Sequence, residues 1–294
     1  GFLQSLGYAI NMFNPSRVIV VFDGKGGSSR RRKIFSDYKQ RRRTSYRVNR
    51  LEGLENLEDE KRSMRVQLRR IVDYLELLPI TSISVDGIEA DDAIAYLTRN
   101  ALGDGEKVIM STDKDFLQLV NDNVKVWSPT RKKLYDKQSV LEEYCVTANN
   151  FIMAKIFEGD KSDNINGVKG VATKTLVKNM PTLANEDNTY TLDEVYKYAL
   201  QHKDEGGTFF VKVLQNKELL ERNYRLMQLS DVDISGSTKT KLLDIVRQPI
   251  NRLIKFKFES QFMEDRLFQN LPNISSWLSQ TFTTLDKYAQ VTNG

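Results

Sequence analysis

The sequence has very few residues of the kinds that form disulfides or bind transition metals. It contains one cysteine, Cys145, and one histidine, His202. A single cysteine excludes an internal disulfide, and the two residues together cannot supply the ligands of an ordinary zinc site. We therefore expect any metal bound by this chain to be held by oxygen.

Long apolar runs are also missing. The longest strongly apolar run is Val18–Phe22, whereas a membrane-spanning helix needs roughly 18 residues or more. The N-terminus does not show the order of charged, apolar and small residues of a signal peptide. Apolar residues make up 40% of the 294 residues and charged residues 28%, which is typical of folded rather than disordered chains. We expect a soluble, intracellular-type protein of one or two domains that does not bind membranes.

Positive charge is concentrated in one segment. Residues 30–50 contain ten lysines and arginines and one acid, a net charge of +9, while the whole chain carries +5. A solvated or disordered face is the simple interpretation of such a block. However, Phe35, Tyr38 and Tyr46 interleave with the charges, and aromatic rings among cations are suited to stacking on unpaired bases. Nucleic acid is therefore the favoured partner of this segment.

The first half of the chain alternates strands and helices. The predicted elements are helix 2–13, strand 17–22, a long helical pattern 51–78 interrupted at 58–65, strand 80–85, helix 91–102, strand 107–110, helix 115–120 and strand 124–127. This alternation predicts an α/β fold with a mainly parallel central sheet flanked by helices. Beyond about residue 135 the pattern is helical, including residues 190–229, 238–268 and 271–285. We therefore predict an α/β part at residues 1–136 and a helical part at residues 137–294.

Acidic residues follow three of the predicted strands. They are Asp23 after the first strand, Glu89, Asp91 and Asp92 after the second, and Asp113 and Asp115 after the third. Ligands of open α/β sheets bind beyond the carboxyl ends of the strands. A single aspartate there is usually a helix cap worth about 1 kcal/mol, but six acids brought together would repel one another unless divalent cations neutralised them. Ligands that are all oxygen are typical of Mg²⁺ or Mn²⁺.

A further acidic pair, Asp160 and Asp163, lies in the helical half. Their spacing would place both carboxylates on one face if the segment were helical. Two metal ions about 4 Å apart can activate water and stabilise the leaving oxygen of a phosphoryl displacement. Such chemistry needs no Ser, Cys or His nucleophile, so the pattern predicts metal-dependent hydrolysis of nucleic acid.

Several short motifs resemble, in order and spacing, those of the 5′ nuclease or flap endonuclease family. They are Val20–Gly24, Tyr38-Lys39 with Arg42, Gly87–Asp92, Ser111–Phe116, and Gly159–Asn164 followed by Gly167–Gly170. The resemblance covers about residues 1–180. The run Val124–Lys133, which contains Trp127-Ser128-Pro129, is similar to phage members of the family, the ribonucleases H of T-even phages.

The resemblance implies a PIN-like 5′ nuclease core that removes 5′ flaps and RNA primers from DNA during replication. The implied activities are a 5′ to 3′ exonuclease and a structure-specific endonuclease that use two ions of Mg²⁺ or Mn²⁺. The implied partners are branched, flapped or nicked DNA and RNA/DNA hybrids. We expect the amphipathic C-terminal helices to pack the core, and docking of a replication protein on them is the alternative. The implied setting is a monomer in the cytoplasm of a phage-infected bacterium.

The resemblance also implies a role for each matching residue. The metal ligands would be Glu89, Asp91, Asp92 and Asp113 in a tighter region with Asp23 nearby, and Asp115, Asp160 and Asp163 in a more open one. Lys39 and Arg42 would contact the scissile phosphate and stabilise its developing charge. Tyr38 would bind nucleic acid beside them, and Arg30 and Arg31 of the basic segment are expected to bind it as well. Residues 44–66 would form a helical arch through which a single-stranded 5′ end passes.

Residues 159–180 resemble the helix-two-turn-helix of the family, whose glycine turn brings backbone amides close to duplex phosphates. Lys169, Lys174 and Lys178 add positive charge there, and in some relatives a monovalent ion such as K⁺ sits at the turn. An ordinary helix hairpin with exposed lysines is the alternative interpretation.

One departure from the family pattern concerns the first strand. Family members have a strand ending in an aspartate before the strand that ends at Asp23, and no acid precedes Asp23 here. We expect the sequence to be a fragment that lacks this strand; the alternative is the loss of a catalytic carboxylate. A non-catalytic DNA-structure binding protein is therefore the rival function. A primase or topoisomerase-type domain also uses clustered acids, but the basic segment and the glycine turn do not favour it.

Overall fold

Helices dominate the computed structural model, which describes residues 1–40, 57–204, 208–269 and 271–292. The helices are α1 Phe2–Phe13, α2 Ser29–Ile34, α3 Leu57–Leu75, α4 Ala90–Asn100, α5 Lys137–Tyr144, α6 Phe151–Glu158, α7 Thr173–Asn179, α8 Leu192–Gln201, α9 Thr208–Gln215, α10 Lys217–Met227, α11 Gly236–Arg247, α12 Lys255–Glu264 and α13 Ile274–Thr292. The strands are β1 Ile19–Phe22, β2 Thr81–Ser84, β3 Lys107–Met110, β4 Val124–Ser128, β5 Lys133–Tyr135, β6 Gly159–Asp160 and β7 Ile165–Asn166. The predicted α/β class with a helical second half is confirmed.

The strands form three small sheets. β1 and β2 are parallel, with Ile19 opposite Thr81. β3 and β4 are also parallel, and β5 continues antiparallel to β4. β6 and β7 form a short antiparallel pair. The predicted parallel pairing is therefore present, but within the described residues it is divided between two short sheets, because alternating elements specify strands without fixing which strands become neighbours.

The chain folds into two compact units, each assembled from segments that are distant in sequence. The first contains described residues 1–22, 57–85, 240–269 and 271–292, and the second contains 23–40, 86–204 and 208–239. Residues 136 and 137 both belong to the second unit, and the predicted domain boundary between them stays a prediction. Every predicted acid lies in the second unit.

The first unit has an apolar helical core. α1 follows the predicted helical spacing and buries Leu6 and Ile10. Gly7 allows close packing of α1 on α13, because a Cβ at this position would lie 2.8 Å from the indole of Trp277. Large side chains of α12 and α13 complete the core: Phe258, Phe262, Leu278, Phe282 and Leu285. Among the described residues, no helix is both long and apolar enough to cross a bilayer.

The second unit is built around α6, which is apolar and largely buried. Phe157 of α6 stacks on Phe209 of α9 with ring centroids 6.4 Å apart. The side-chain amide of Asn223 on α10 donates to the carbonyl oxygens of Ile156 and Asn166, at 2.9 Å each. Helix α10 is thereby fixed both to α6 and to the turn that follows it.

The turn after α6 depends on glycine. Gly159 has a φ of +76°, and a Cβ there would lie 2.5 Å from the carbonyl oxygen of Ile165. The strands β6 and β7 therefore close tightly, and residues 161–164 form a turn rather than a helix. Because this segment is not helical, Asp160 and Asp163 do not share the face of a helix.

Part of the predicted DNA-binding machinery falls outside the described residues. Arg42, Tyr46 and residues 44–56 of the predicted arch belong to this part of the sequence. Residues 57–66, the remainder of the predicted arch, form the first half of α3.

Candidate active site

The acids that follow β1 and β2 lie next to each other. The side chain of Asp23 accepts a hydrogen bond at 2.8 Å from the backbone amide of Ala90, in the first turn of α4. The amide of Gly24 donates to the carbonyl oxygen of Ile88 at 3.1 Å. A Cβ on Gly27 would lie 2.5 Å from the same carbonyl oxygen, so glycine permits the close approach. Asp23 is thus brought to the helix start that carries Asp91 and Asp92.

Arg31 is buried between two of the predicted acids. Its guanidinium pairs with Glu89 at 2.5 Å and with Asp92 at 2.8 Å, and its Nε donates to the carbonyl oxygen of Leu226 at 2.8 Å. Arg31, Glu89 and Asp92 are each less than 5% exposed. Burial acts to raise the pKa of Glu89, but the charges of Arg31 and Lys39 offset it and lower this pKa overall. The Arg31 donors are directed to protein acceptors, not to the surface.

Lys39 links these acids to the Asp160–Asp163 turn. Its Nζ pairs with Glu89 and lies 4.9 Å from the ring centroid of Tyr38. Its backbone has a φ of +57°, and its amide donates to the carbonyl oxygen of Asp163 at 2.9 Å. The Tyr38 side chain is only 3% exposed, which places the ring inside the protein. Arg30 lies at the edge of the same group, 3.3 Å from Asp92.

The negative charge of Asp113 raises the pKa of two neighbouring acids, Asp91 and Asp115. Burial raises the pKa of Asp91 to about 7, and the negative charge of Asp113 adds to this effect. Burial likewise raises the pKa of Asp115 to about 6, with further contributions from Asp113 and Asp160 that Lys155 opposes. Asp113 is exposed, and its Oδ1 accepts from the amide of Asp115 at 2.9 Å. The charge of Asp113 thus disfavours the ionised forms of Asp91 and Asp115, and a bound cation would relieve this repulsion.

A lysine that the sequence analysis did not single out lies among the acids. Lys155 Nζ is 2.8 Å from Asp115 and 3.2 Å from Asp160. Burial lowers the pKa of Lys155, but these two carboxylates outweigh burial and raise it. Asp160 also accepts hydrogen bonds from the amide and hydroxyl of Ser162, at 2.8 and 2.6 Å. A lysine among the apolar residues of α6, five residues before Asp160, is the signal that could have identified Lys155.

The arrangement of the carboxylates limits how a metal could be held. In the described ranges, no three Asp, Glu, His or Cys side chains are grouped closely enough to hold an ion. The acids form smaller groups: two around Arg31, two around Lys155, and Asp91, which is affected by the charge of Asp113. Mg²⁺ commonly takes one or two protein carboxylates and retains several waters. The all-oxygen donor set and the raised pKa values therefore fit a hydrated divalent cation.

The lysines of the predicted helix-two-turn-helix face solvent. Lys169, Lys174 and Lys178 are all exposed, on α7 and the turn before it. Gly170 in this turn has a φ of +76°. Lys212 of α9 donates to the carbonyl oxygen of Lys169 at 3.4 Å, which brings a fourth cation to this surface. Helix α7, the turn before it and Lys212 of α9 thus present a positively charged edge.

Comparison with known proteins gives concordant matches. Residues 1–145 match the family described as the 5′-3′ exonuclease, N-terminal resolvase-like domain. A 5′-3′ exonuclease of Aquifex aeolicus is 31% identical over 255 residues, which is 86% of this chain and 78% of that protein. Flap endonuclease Xni of Shewanella denitrificans is 30% identical over 219 residues, covering 73% of this chain and 75% of the relative.

A solved structure supports the same fold. The flap endonuclease of bacteriophage T5, in a complex with DNA and metal ions, has a TM-score of 0.65 to this chain and 24% sequence identity. The match covers 84% of this chain and 90% of the phage protein. The two chains therefore share a fold that extends well beyond residues 1–145.

Proposed function

This chain belongs to the 5′-3′ exonuclease and flap endonuclease family, and from that premise we propose that it hydrolyses phosphodiester bonds at 5′ flaps, nicks and RNA primers on DNA. The observation that carries the proposal is the assembly of acids from four distant segments in the second unit, next to Lys39. The flap endonuclease relative Xni supports the flap substrate, and the resemblance of residues 124–133 to phage ribonucleases H supports RNA primers and RNA/DNA hybrids.

The acids are proposed to hold two divalent cations, Mg²⁺ or Mn²⁺. The proposed ligands are Asp23, Glu89, Asp91, Asp92, Asp113, Asp115, Asp160 and Asp163. When bound, such ions would activate water and stabilise the leaving oxygen. Arg31 and Lys155 fix four of these carboxylates by ion pairs. We therefore propose that these two side chains position the acids.

Lys39 and Arg42 are proposed to contact the scissile phosphate. The Lys39 side chain is 13% exposed where it pairs with Glu89, so its ammonium lies at the boundary between the acids and solvent. An ammonium there would stabilise charge that develops on a phosphoryl group. The role of Arg42 rests on its spacing from Lys39 in the sequence.

The positively charged edge at Lys169, Lys174 and Lys178 is proposed to bind duplex phosphates, with K⁺ at the Gly170 turn. Its exposure and the backbone geometry of that glycine support this proposal. We further propose that the protein acts as a monomer in the cytoplasm of a phage-infected bacterium, on the resemblance of its motifs to those of phage family members. Docking of replication proteins on the C-terminal helices is a separate proposal, which rests on the amphipathic pattern of these helices.

Cleavage of flap DNA tests the proposed function. A fluorescent 5′-flap duplex and a 3′-flap duplex of the same sequence would be incubated with the protein and the products sized on a gel. We expect cleavage near the 5′-flap junction with Mg²⁺, no cleavage after removal of divalent cations with EDTA, and recovery on adding Mg²⁺ or Mn²⁺. The 3′ flap should remain uncut.

The rival function predicts a different outcome of the same experiment. A non-catalytic DNA-structure binding protein would bind the 5′-flap duplex without yielding products at any concentration of Mg²⁺ or Mn²⁺. Equal cleavage of both flaps would show a nuclease without the proposed polarity. Either result would reject the proposed function.

A further inference from the structure

Arg222 is a half-buried cation with no carboxylate partner in the described part of the chain. Its guanidinium lies over the ring of Phe35, 4.5 Å from the ring centroid. Its Nη2 donates to the side chain of Asn223 at 3.1 Å, and its Nε is buried without a hydrogen-bond partner among the described residues. Arg31 and Lys155, in contrast, each pair with two carboxylates.

The position of Arg222 is fixed beside the basic segment. Helices α2 and α10 lie side by side, because Arg31 donates to the carbonyl oxygen of Leu226 at 2.8 Å while Phe35, four residues after Arg31, packs against Arg222. The neighbouring Asn223 anchors α10 to the carbonyl oxygens of Ile156 and Asn166. The Arg222 side chain is therefore held by its surroundings.

Residues 35–39 connect the position of Arg222 to the acids. Asn164 in the turn after β6 donates to the carbonyl oxygen of Asp37 at 3.0 Å, and Lys39 donates to that of Asp163. Residues 35–39 consequently run from the ring under Arg222 to the ammonium at Glu89. A nucleic-acid strand that reaches Lys39 along this segment passes Arg222.

The guanidinium of Arg222, stacked on the ring of Phe35, is suited to binding phosphate. Partial burial of a guanidinium without a counter-ion costs free energy, and this burial lowers the pKa of Arg222. A guanidinium stacked on a ring keeps the hydrogen-bond donors in its plane available, and their fork matches two oxygens of a phosphate. A bound phosphodiester would supply the missing charge and would accept from the guanidinium donors that are not buried.

We infer that Arg222, which lies outside the basic segment 30–50 and is supported by the ring of Phe35, binds a backbone phosphate of the substrate strand. The inference rests on the proposed function, since the substrate is taken to be nucleic acid. It adds a binding residue on α10 that no motif of the sequence indicated.

Binding measurements on matched variants test this inference. Arg222→Gln removes the charge, and Arg225→Gln removes the same charge from an exposed position on the same helix. The dissociation constant for a 5′-flap duplex would be measured in EDTA over a series of salt concentrations. We expect Arg222→Gln to weaken binding about tenfold, as for loss of a charge-assisted hydrogen bond, and to reduce the slope of log Kd against log salt by about 0.7 to 0.9. Arg225→Gln should change Kd less than about twofold.

Two further variants distinguish the effect of the guanidinium stacked on Phe35 from the effect of its charge alone and from loss of folding. Arg222→Lys should keep the salt slope but recover only part of the affinity, because an ammonium lacks the planar fork. Phe35→Leu should weaken binding with Arg222 still present. Thermal unfolding of each variant, compared with the unmodified protein, identifies any loss of binding that comes from misfolding. If Arg222→Gln misfolds, the binding of Arg222→Lys tests the inference in its place.

The outcomes for this inference and for the proposed function differ. If the unmodified protein binds and cuts the 5′ flap while Arg222→Gln and Arg225→Gln share one Kd and one salt slope, the inference alone is overturned. If the unmodified protein neither binds nor cuts the flap, the proposed function and the inference both fail.

Discussion

At the scale of single residues, buried cations organise the acids of the second unit. Arg31 lies in the most basic stretch of the sequence and was predicted to bind nucleic acid, yet its donors are directed to Glu89, Asp92 and a backbone carbonyl. Lys155 has a similar arrangement with Asp115 and Asp160. Sequence alone could not distinguish Arg31 from its neighbours, because composition reports charge and burial depends on tertiary contacts.

The burial of Arg31 predicts a large effect on stability. Arg31→Met would leave Glu89 and Asp92 buried without their main counter-ion, and breaking a buried ion pair by removing one partner costs about 3–5 kcal/mol. Urea denaturation followed by circular dichroism measures the free energy of unfolding. Arg32→Met is the matched control, since Arg32 is exposed on the same helix and its loss should cost less than about 0.5 kcal/mol. Equal stability of the two variants would show that the Arg31 network is not structural.

At the scale of elements, Glu143 joins the β4–β5 hairpin to α5. Its carboxylate accepts hydrogen bonds from Lys133 at 2.8 Å and from the Tyr135 hydroxyl at 2.9 Å, and it also pairs with Arg131. Burial acts to raise the pKa of Glu143, but these hydrogen bonds outweigh it and lower the pKa to about 2. The ionised form of Glu143 therefore stabilises this part of the fold.

This shift predicts a pH dependence of stability. A carboxylate with a lowered pKa stabilises the folded state fully above its unfolded pKa of about 4.3, and the contribution is lost as pH falls toward the folded value. We expect Glu143→Gln to lower the free energy of unfolding by roughly 1 kcal/mol at pH 7, a value reduced for solvent exposure. The difference from the unmodified protein should disappear near pH 2. Urea titrations at several pH values measure it.

The neighbouring Glu142 supplies the control for this prediction. Glu142 makes none of the hydrogen bonds that Glu143 makes with Lys133 and Tyr135, and in the structure it accepts from Gln138. Glu142→Gln should therefore stay within about 0.5 kcal/mol of the unmodified protein at pH 7. A Glu143→Gln effect that is constant from pH 7 to pH 2 would contradict the account of this contact.

Sequence patterns predicted elements with a clear apolar pattern better than those that depend on local side-chain caps. Helix α1, with its helical apolar spacing, and strand β3, with its apolar run, have the predicted bounds Phe2–Phe13 and Lys107–Met110. The predicted helix at 115–120 is a 3₁₀ helix, Lys114–Leu119, in which the side chain of Asp113 caps the amide of Asp115. The helix considered for 160–163 is a turn because Asp160 binds the Ser162 amide. Local side-chain caps of this kind compete with helix formation and leave little periodic signal.

At the scale of the whole molecule, motif order predicted the family, and the general rule for α/β sheets predicted that acids after strands come together. It did not predict that Arg31 and Lys155 would divide these acids into separate ion-paired groups, since that depends on side-chain packing. Nor did it predict Arg222, a single arginine in an amphipathic helix, where stacking on Phe35 depends on the contact between α2 and α10. The distribution of charge, a +9 segment on a chain of net +5, was informative about the partner and not about these contacts.

The central claim is that the acids of the second unit carry out hydrolysis of a 5′-ended strand. Single-turnover cleavage of a 5′-flap duplex with Mg²⁺, measured beside its binding, tests this claim with Asp113→Asn and, as the control, Asp122→Asn, an aspartate paired with Lys137 at the surface. The account predicts that Asp113→Asn binds the flap as tightly as the unmodified protein but cuts it at least about 100-fold more slowly, the scale typical of losing one transition-state contact, while Asp122→Asn cuts normally. Cleavage by Asp113→Asn at the rate of Asp122→Asn would contradict it.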